Sequence, residues 1–539
     1  MKNILIDKLG IIHNDGIEEY TDHGITVYFD GLIYAYGIKA GKETVKWLCD
    51  EYFKNKAIPF PSLHGSFFCV IKDRRNIIVF TDNSNMHCFY YSSDFISNSF
   101  LMLVQQKMQK GEQIEFDLEA LCEYYTLGNI YFDKTFFKDI KILNSNELIY
   151  WEKEVFQIKD KGIEGIDGSY EIKSISDFFD KLTFSVSELK VCQGLTGGYD
   201  SRLVYTCTSN RINDYPAISS NKIEDSDVIH ATEVAKTKGD KLEVISIEKP
   251  DYSVELIDKL MAYLDGIQPL DIESNIRLYT FKERLAEQYN IHLTGDGGVL
   301  HKDWEWIQDF PLYRRKRSDA RKFYFQRLYY IKNDNHLGEK LIPAFSNQQT
   351  RFEKYLNTIS KPLNTQSYDS WYYTVSGNRR IAYNNNMFNG LISYAPLLEI
   401  DLVRFSYALP RFERFFYNSM RKTISAENIK IARLTTNYGT TASSELRYLF
   451  RDCFYQTIEY ARKAIRVVSR KFFNISILNN NVLDWSLEKE VRASQITKDA
   501  VTFAQKHKFI KTVDISGLKY TELQRLIHIS WLAQYIVTK

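Results

Sequence analysis

The stretch GLTGGYDSRLVY, residues 194–205, sets two adjacent glycines between the hydroxyl side chains of Thr196 and Ser201, with Asp200 beside the latter. A short apolar run precedes it and a helical pattern follows, so the turn falls where a strand ends and a helix begins. Gly197 and Gly198 permit backbone conformations and close approaches there that a side chain would block. The N–H groups of such a turn, with the positive end of the following helix dipole, form an anion site suited to phosphate. Thr196 and Ser201 add hydroxyl donors. Asp200 would repel an anion unless a cation such as Mg²⁺ lay between them, and that combination points to a metal-bound polyphosphate. The GxxxxGK[ST] loop of kinases is absent, because no lysine follows the glycines. A Gly-Gly turn with an aspartate N-cap is the plain structural alternative.

Positioning this turn requires an alternation of strands and helices. ISDFFDKLTFSVSEL (175–189) carries apolar residues at helical spacing, and KVCQGL (190–195) reads as a brief strand ending at the glycines. DVIHATEVAKTKG (227–239) is helical, LEVISI (242–247) and NIHLTG (290–295) are strands, and helices dominate from Trp304 onward. The pattern predicts an open α/β sheet followed by a helical region over residues 175–539. From Ile25 to about Trp151 the period is two: GITVYFDGLIYAYGI, GSFFCVIKD, NIIVFTDN and CFYYSSDFISNS predict layered antiparallel strands, and GKETVKWLCDEYFKN a helix. Residues 1–160 are therefore one β-rich domain, and 161–174, without a long apolar run, are a linker.

LTGGYDSR (195–202) is similar to the SGGxDS pyrophosphate loop of the N-type ATP pyrophosphatases, with threonine for the first serine. The wider context resembles the asparagine synthetase and β-lactam synthetase superfamily, through AISSNKIEDSDVIHATEVAK (217–236), YLDGIQPLDIESN (263–275), HLTGDGGVLHKDW (292–304) and YAPLLEIDLVRFSYALP (394–410). HGSFFCVIKDRRNIIVFTDNSNMHCFYYS (64–92) resembles the hairpins of the family's class II glutaminase domain. The implied fold is an N-terminal β-sandwich of the Ntn-hydrolase type followed by an α/β PP-loop ATPase domain with extra helices. The implied reaction uses ATP and Mg²⁺ to adenylate a carboxylate, releasing pyrophosphate, before an amine attacks the acyl carbon. By the resemblance Thr196, Gly197, Gly198 and Ser201 hold pyrophosphate, Asp200 ligates Mg²⁺, and Leu195, Ser219 and Gly295 lie near adenosine. Asp265 stands where the family carries a residue near the acyl centre, with helix capping beside Gly266 as its alternative.

Three positions depart from the family pattern. Lys2 stands where the glutaminase needs a cysteine, and the first cysteine is Cys49, so glutamine is not the expected ammonia source. Val299 occupies the position of a second Mg²⁺-ligating aspartate, leaving Asp296 or Asp303 as substitutes. Thr435 stands where the family places a catalytic lysine, leaving Arg433 and Lys430 as nearby sources of positive charge.

Composition sets the outer bounds. A chain of 539 residues with net charge +2 exceeds one core and has no global pull toward nucleic acid or membrane. Seven scattered cysteines lack metal or disulfide spacing and read as reduced, buried thiols. No apolar window is long enough to span a bilayer, and a cytoplasmic protein is expected. YRRKRSDARK (313–322) is the one dense basic run, which weighs against a tRNA-modifying relative of the same loop. The expectation is an amide ligase acting on a small-molecule or peptide carboxylate and an amine, with a partner peptidase or carrier protein left open. A degenerate pseudoenzyme that binds nucleotide or a partner is the second reading.

Overall fold

The run HGSFFCVIK forms the strand His64–Lys72, and its burial explains why its apolar residues do not alternate with polar ones. Phe67, Cys69 and Ile71 face one apolar cluster, which also takes Leu48 and Tyr52 from the helix Lys42–Asn55, while Phe68 and Val70 face another. A strand covered on both faces reads as continuous hydrophobicity. This strand lies within a six-stranded antiparallel sheet, in the order Val155–Asp160, Glu147–Glu152, Asn76–Thr81, His64–Lys72, Ile25–Tyr34 and Glu18–Asp22. A second antiparallel sheet of five strands runs Ile12–Asp15, Asn3–Asp7, Phe95–Ser97, Tyr90–Tyr91 and Lys141–Ile142. Ile4, Ile6 and Ile96 of the second sheet share a core with Phe68, Val70 and Val79 of the first. The expected β layers and their helix are therefore present. The sequence reading did not resolve the strands before residue 23, where IHND and EEYTD are mostly exposed and carry no apolar alternation.

This description comes from a computed structural model and covers residues 2–84, 86–152, 155–220, 224–302, 336–358, 373, 391–455, 457–458, 461 and 485–538. The basic run at 313–322 and Asp303 lie outside it.

After residues 161–174, which hold no helix or strand, the helix Ile175–Val186 leads into a five-stranded parallel sheet. Its order is Leu242–Val244, Ala217–Ser219, Val191–Gly194, Ile291–Leu293 and Ile392–Tyr394. The helices Tyr199–Ser209, Ser226–Lys238 and Ile272–Ala286 belong to its crossovers. The expected α/β half is thus present as a mixed fold of N-terminal sheets and a later parallel sheet with helices.

The two halves are joined by buried polar contacts as well as apolar ones. The Glu399 carboxylate accepts hydrogen bonds from the Gly65 N–H (3.1 Å) and Tyr394 OH (2.9 Å), with the His64 ring at 3.1 Å. Tyr34 and Tyr394 meet hydroxyl to hydroxyl at 3.0 Å. One apolar cluster runs from Phe100, Leu103 and Tyr124 to Leu264, Leu526 and Leu532. All seven cysteines are free thiols. Six are buried as expected, and Cys453 is exposed, a correction to the all-buried reading. No helix among the described residues is long and apolar enough to cross a membrane.

Candidate functional site

Strand order fixes where the site lies. Val191–Gly194 and Ile291–Leu293 are neighbours at the middle of the parallel sheet, yet the next strand after each lies on opposite sides of the pair. Connections that diverge in this way leave a crevice outside the carboxyl ends of the two strands. A cavity of about 590 Å³ opens there. Its walls include Thr196, Asp200 and Ser201 from the first turn and Thr294, Gly295 and Asp296 from the second.

The first turn is held open by its own hydroxyls. Thr196 N–H donates to Ser201 Oγ (3.2 Å), and the two hydroxyls are 2.8 Å apart. No side chain caps the helix Tyr199–Ser209, although Ser99, Asp117, Ser174, Ser253 and Ser494 cap others in this protein. The aspartate N-cap alternative is therefore set aside: Gly198 is the cap position, and Asp200 projects into the cavity from the first helical turn. An uncapped helix start opening on a cavity presents N–H donors to an anion.

The second turn packs directly on the first. A Cβ at Gly295 would stand 2.5 Å from the Ser201 nitrogen, and one at Gly298 would overlap the Asp200 carboxyl group. Glycine at both positions is what lets the two turns touch. Beyond them His301 anchors the turn, its Nε2 donating to Leu397 O (2.7 Å) and its Nδ1 2.6 Å from Ser406 Oγ. Burial lowers its pKa to about 4, so the ring is neutral. Lys302 follows, its Nζ 3.4 Å from Asp200 Oδ2 and 4.6 Å from the centre of the Tyr417 ring. Asp200 Oδ1 is buried with no hydrogen-bond partner among the described residues. Asp296 lines the cavity from the second turn with its side chain exposed to it. Loss of solvation raises its pKa and the Asp200 charge adds to this, against the donating Thr294 hydroxyl (2.8 Å) and the Lys282 charge.

Arg277, Leu278, Phe281 and Lys282, all from the helix Ile272–Ala286, line the wall away from the turns. Burial drives the Lys282 ammonium down to about 7, with Asp296 opposing. His292 lies beside them, 6% exposed, with neither ring nitrogen hydrogen-bonded to a described residue. Burial, and then the Lys282 charge, lowers its pKa to about 3.

The late turn at 435–441 adds Asn437 and Tyr438 to the lining. Buried Arg202 donates to Leu434 O (2.7 Å) and Thr435 O (2.9 Å), which ties this turn to the first one. Asp227 Oδ1 accepts from both Gly197 N–H (3.1 Å) and Asn437 Nδ2 (2.8 Å). Tyr199 stacks on Tyr417 and donates to Thr441 O at 2.6 Å.

The structure thus brings Leu195, Thr196, Gly198, Asp200, Ser201, Ser219, Gly295 and Asp296 to one cavity, with Gly197 inside the same turn. It does not bring the three residues expected to be catalytic. Arg433 is exposed and makes a two-point ion pair with Glu445 (2.8 Å each), and exposed Lys430 follows the Asn428 cap of a short helix. Asp265 is buried away from the cavity, accepting from Ser99 Oγ (2.7 Å), Phe100 N–H (2.5 Å) and Leu101 N–H (3.2 Å). Its work is capping, as the alternative held, but of the helix Phe100–Gln109 in the β-rich N-terminal region. Missed were Arg277, Lys282, His292 and Lys302. The first two had a signal in their shared helix face, since 277, 278, 281 and 282 recur at helical spacing.

Asp265→Ala is expected to destabilise the fold by about 2–3 kcal/mol, since three donors lose their acceptor, and to leave nucleotide affinity intact. Chemical denaturation with a parallel binding titration checks both. Burial raises this carboxyl to about 6 in the folded chain. Its stabilising contribution is therefore full below the unfolded value of about 4 and is lost as pH rises through about 6. Wild type should lose stability relative to Asp265→Asn over that window.

Residues 184–424 match the family model described as asparagine synthase. Over that segment, less than half of the chain, the protein is similar to the asparagine synthase family. Members of the family use ATP in amide-forming ligation. The asparagine synthase segment contains both glycine-rich turns and the helix carrying Lys282, while the late turn lies beyond it. No curated protein matches the chain. Among solved structures, the chain is similar to glutamine phosphoribosylpyrophosphate (PRPP) amidotransferase from B. subtilis complexed with ADP and GMP. Identity is 8% and the TM-score 0.15, over 53% of this chain and 59% of that one. A likeness this loose says nothing about chemistry.

Proposed function

We propose that the chain is an ATP-dependent, AMP-forming carbon–nitrogen ligase whose amine does not come from glutamine. One observation carries this reading: an uncapped helix start, two interlocked glycine-rich turns and the Asp200 carboxylate meet in one cavity at the sheet's switch point, within the asparagine synthase segment. N–H groups of the uncapped helix start, residues 198–201, and the Thr196 and Ser201 hydroxyls bind the β- and γ-phosphates. Leu195, Ser219 and Gly295 border adenosine. The orphaned, buried Oδ1 of Asp200, with Asp296 nearby, fits a hard divalent cation, so these two carboxylates would hold Mg²⁺. Bound there, the ion would offset charge on the departing pyrophosphate.

In the reaction a carboxylate oxygen attacks the α-phosphorus and the bond to pyrophosphate breaks. The amine then attacks the acyl carbon, the bond to AMP breaks, and the amine gives up a proton. Preorganised donors in the turn stabilise the leaving pyrophosphate in the first step. The N-terminal domain, residues 1–160, serves as an Ntn-hydrolase-like scaffold without glutaminase chemistry, joined through 161–174 to a PP-loop ATPase at 175–539. In support, Cys49, Cys69, Cys88 and Cys122 are all buried, and burial pushes the Cys49 and Cys122 thiols up to about 12. The test is exchange of labelled pyrophosphate into ATP across a panel of carboxylates with Mg²⁺. Exchange that depends on one carboxylate class is expected, and it should be indifferent to glutamine.

A second reading, a nucleotide-binding protein without turnover, draws on Val299 packed against the core and on the placement of Lys430 and Arg433 outside the cavity. Tight ATP binding with no exchange for any carboxylate would favour it.

A further inference from the structure

We propose that Lys302 is a resident cation of the polyphosphate site, supplying with its ammonium the charge that a second metal ion would otherwise bring. This rests on the nucleotide-site reading above. The resemblance expects a carboxylate at position 299, where Val299 instead packs against the core and offers no ligand to a hard cation. Three residues further on, Lys302 reaches the same place. Its side chain is 10% exposed, lines the cavity, and holds Nζ 3.4 Å from Asp200 Oδ2, on the carboxylate that Gly298 lets approach. The ammonium is steered from two sides. Tyr417 presents its ring face at 4.6 Å and is itself stacked on Tyr199 of the first turn, and neighbouring His301 is fixed through both ring nitrogens.

An ammonium has three donors on a flexible stem. One placed at Asp200 Oδ2 can bridge that oxygen and a phosphate oxygen seated on the turn, while Asp200 Oδ1 stays available to one divalent ion. The site then needs a single metal, and Val299 is a consequence of having Lys302. Lys302 is the fixed positive charge that the sequence pattern predicts at Arg433 and Lys430.

The test is calorimetric binding of ATP and of AMP to the full chain, with Mn²⁺ bound per ATP counted by electron paramagnetic resonance. Lys302→Ala and Lys302→Gln are expected to weaken ATP binding about 10- to 100-fold and leave AMP binding unchanged, and Lys302→Arg to recover most of the loss. Unchanged AMP affinity also reports that the variants are folded. Wild type should bind about one Mn²⁺ per ATP, and Val299→Asp/Lys302→Ala about two. Wild-type-like or tighter ATP binding by Lys302→Ala, or two Mn²⁺ in wild type, overturns the assignment of Lys302 and leaves the ligase reading standing. Failure of wild type to bind ATP at all removes both.

Discussion

Asp200→Ala is expected to lower pyrophosphate release by roughly 10²- to 10³-fold, the scale on which one preorganised electrostatic group acts on a transition state. The residue is the one carboxylate on the first turn, and it has a buried oxygen that no described residue satisfies. Removing it takes away the proposed hard-cation ligand and leaves Lys302 without its 3.4 Å partner. The folded state should tolerate the change, because the side chain lies on a cavity wall and its loss leaves no buried donor from the backbone stranded. Release measured at saturating ATP, with the melting temperature as control, separates the two effects. Asp200→Asn is the sharper companion, since it keeps the volume and removes only the charge.

Gly298→Ala should cost about 10²-fold in the same assay, although it adds a single methyl group. That methyl would overlap the Asp200 carboxyl, which must swing away from its position over the turn. Gly295→Ala meets the Ser201 backbone at 2.5 Å instead, where nothing flexible can yield, and should damage folding as well as activity. A contrast between a folded, inactive Gly298→Ala and a poorly folded Gly295→Ala would locate the two turns' contact in solution.

How much of this was legible beforehand follows from the range of the interactions involved. The turn at 194–201 announced itself because its glycines, hydroxyls and aspartate are local in sequence and their chemistry needs no partner. The strand runs around it were legible for the same reason. Asp265 misled because its environment is made by residues 99–101, more than 160 positions away, and no local spacing encodes a cap donated across the chain. Arg433 and Lys430 misled in the other direction: they are near the late turn in sequence, yet a two-point pair with Glu445 and a surface helix hold them off the cavity. Lys302 and Lys282 look like ordinary charged residues in the sequence. Only the packing of Gly298 on Asp200, and of the helix Ile272–Ala286 against Cys192 and Ile218 of the sheet, gives them a destination.

The central claim is that the interlocked turns at 194–201 and 294–298 seat the polyphosphate of ATP. A crystal structure of the full chain with Mg²⁺ and an ATP analogue non-hydrolysable at the α,β-bridge tests it most directly. The account predicts β- and γ-phosphates on the N–H groups of residues 198–201, a metal ion at Asp200 and the Lys302 ammonium at a phosphate oxygen. Nucleotide bound elsewhere, or a turn occupied by the protein's own side chains at saturating ligand, would contradict it.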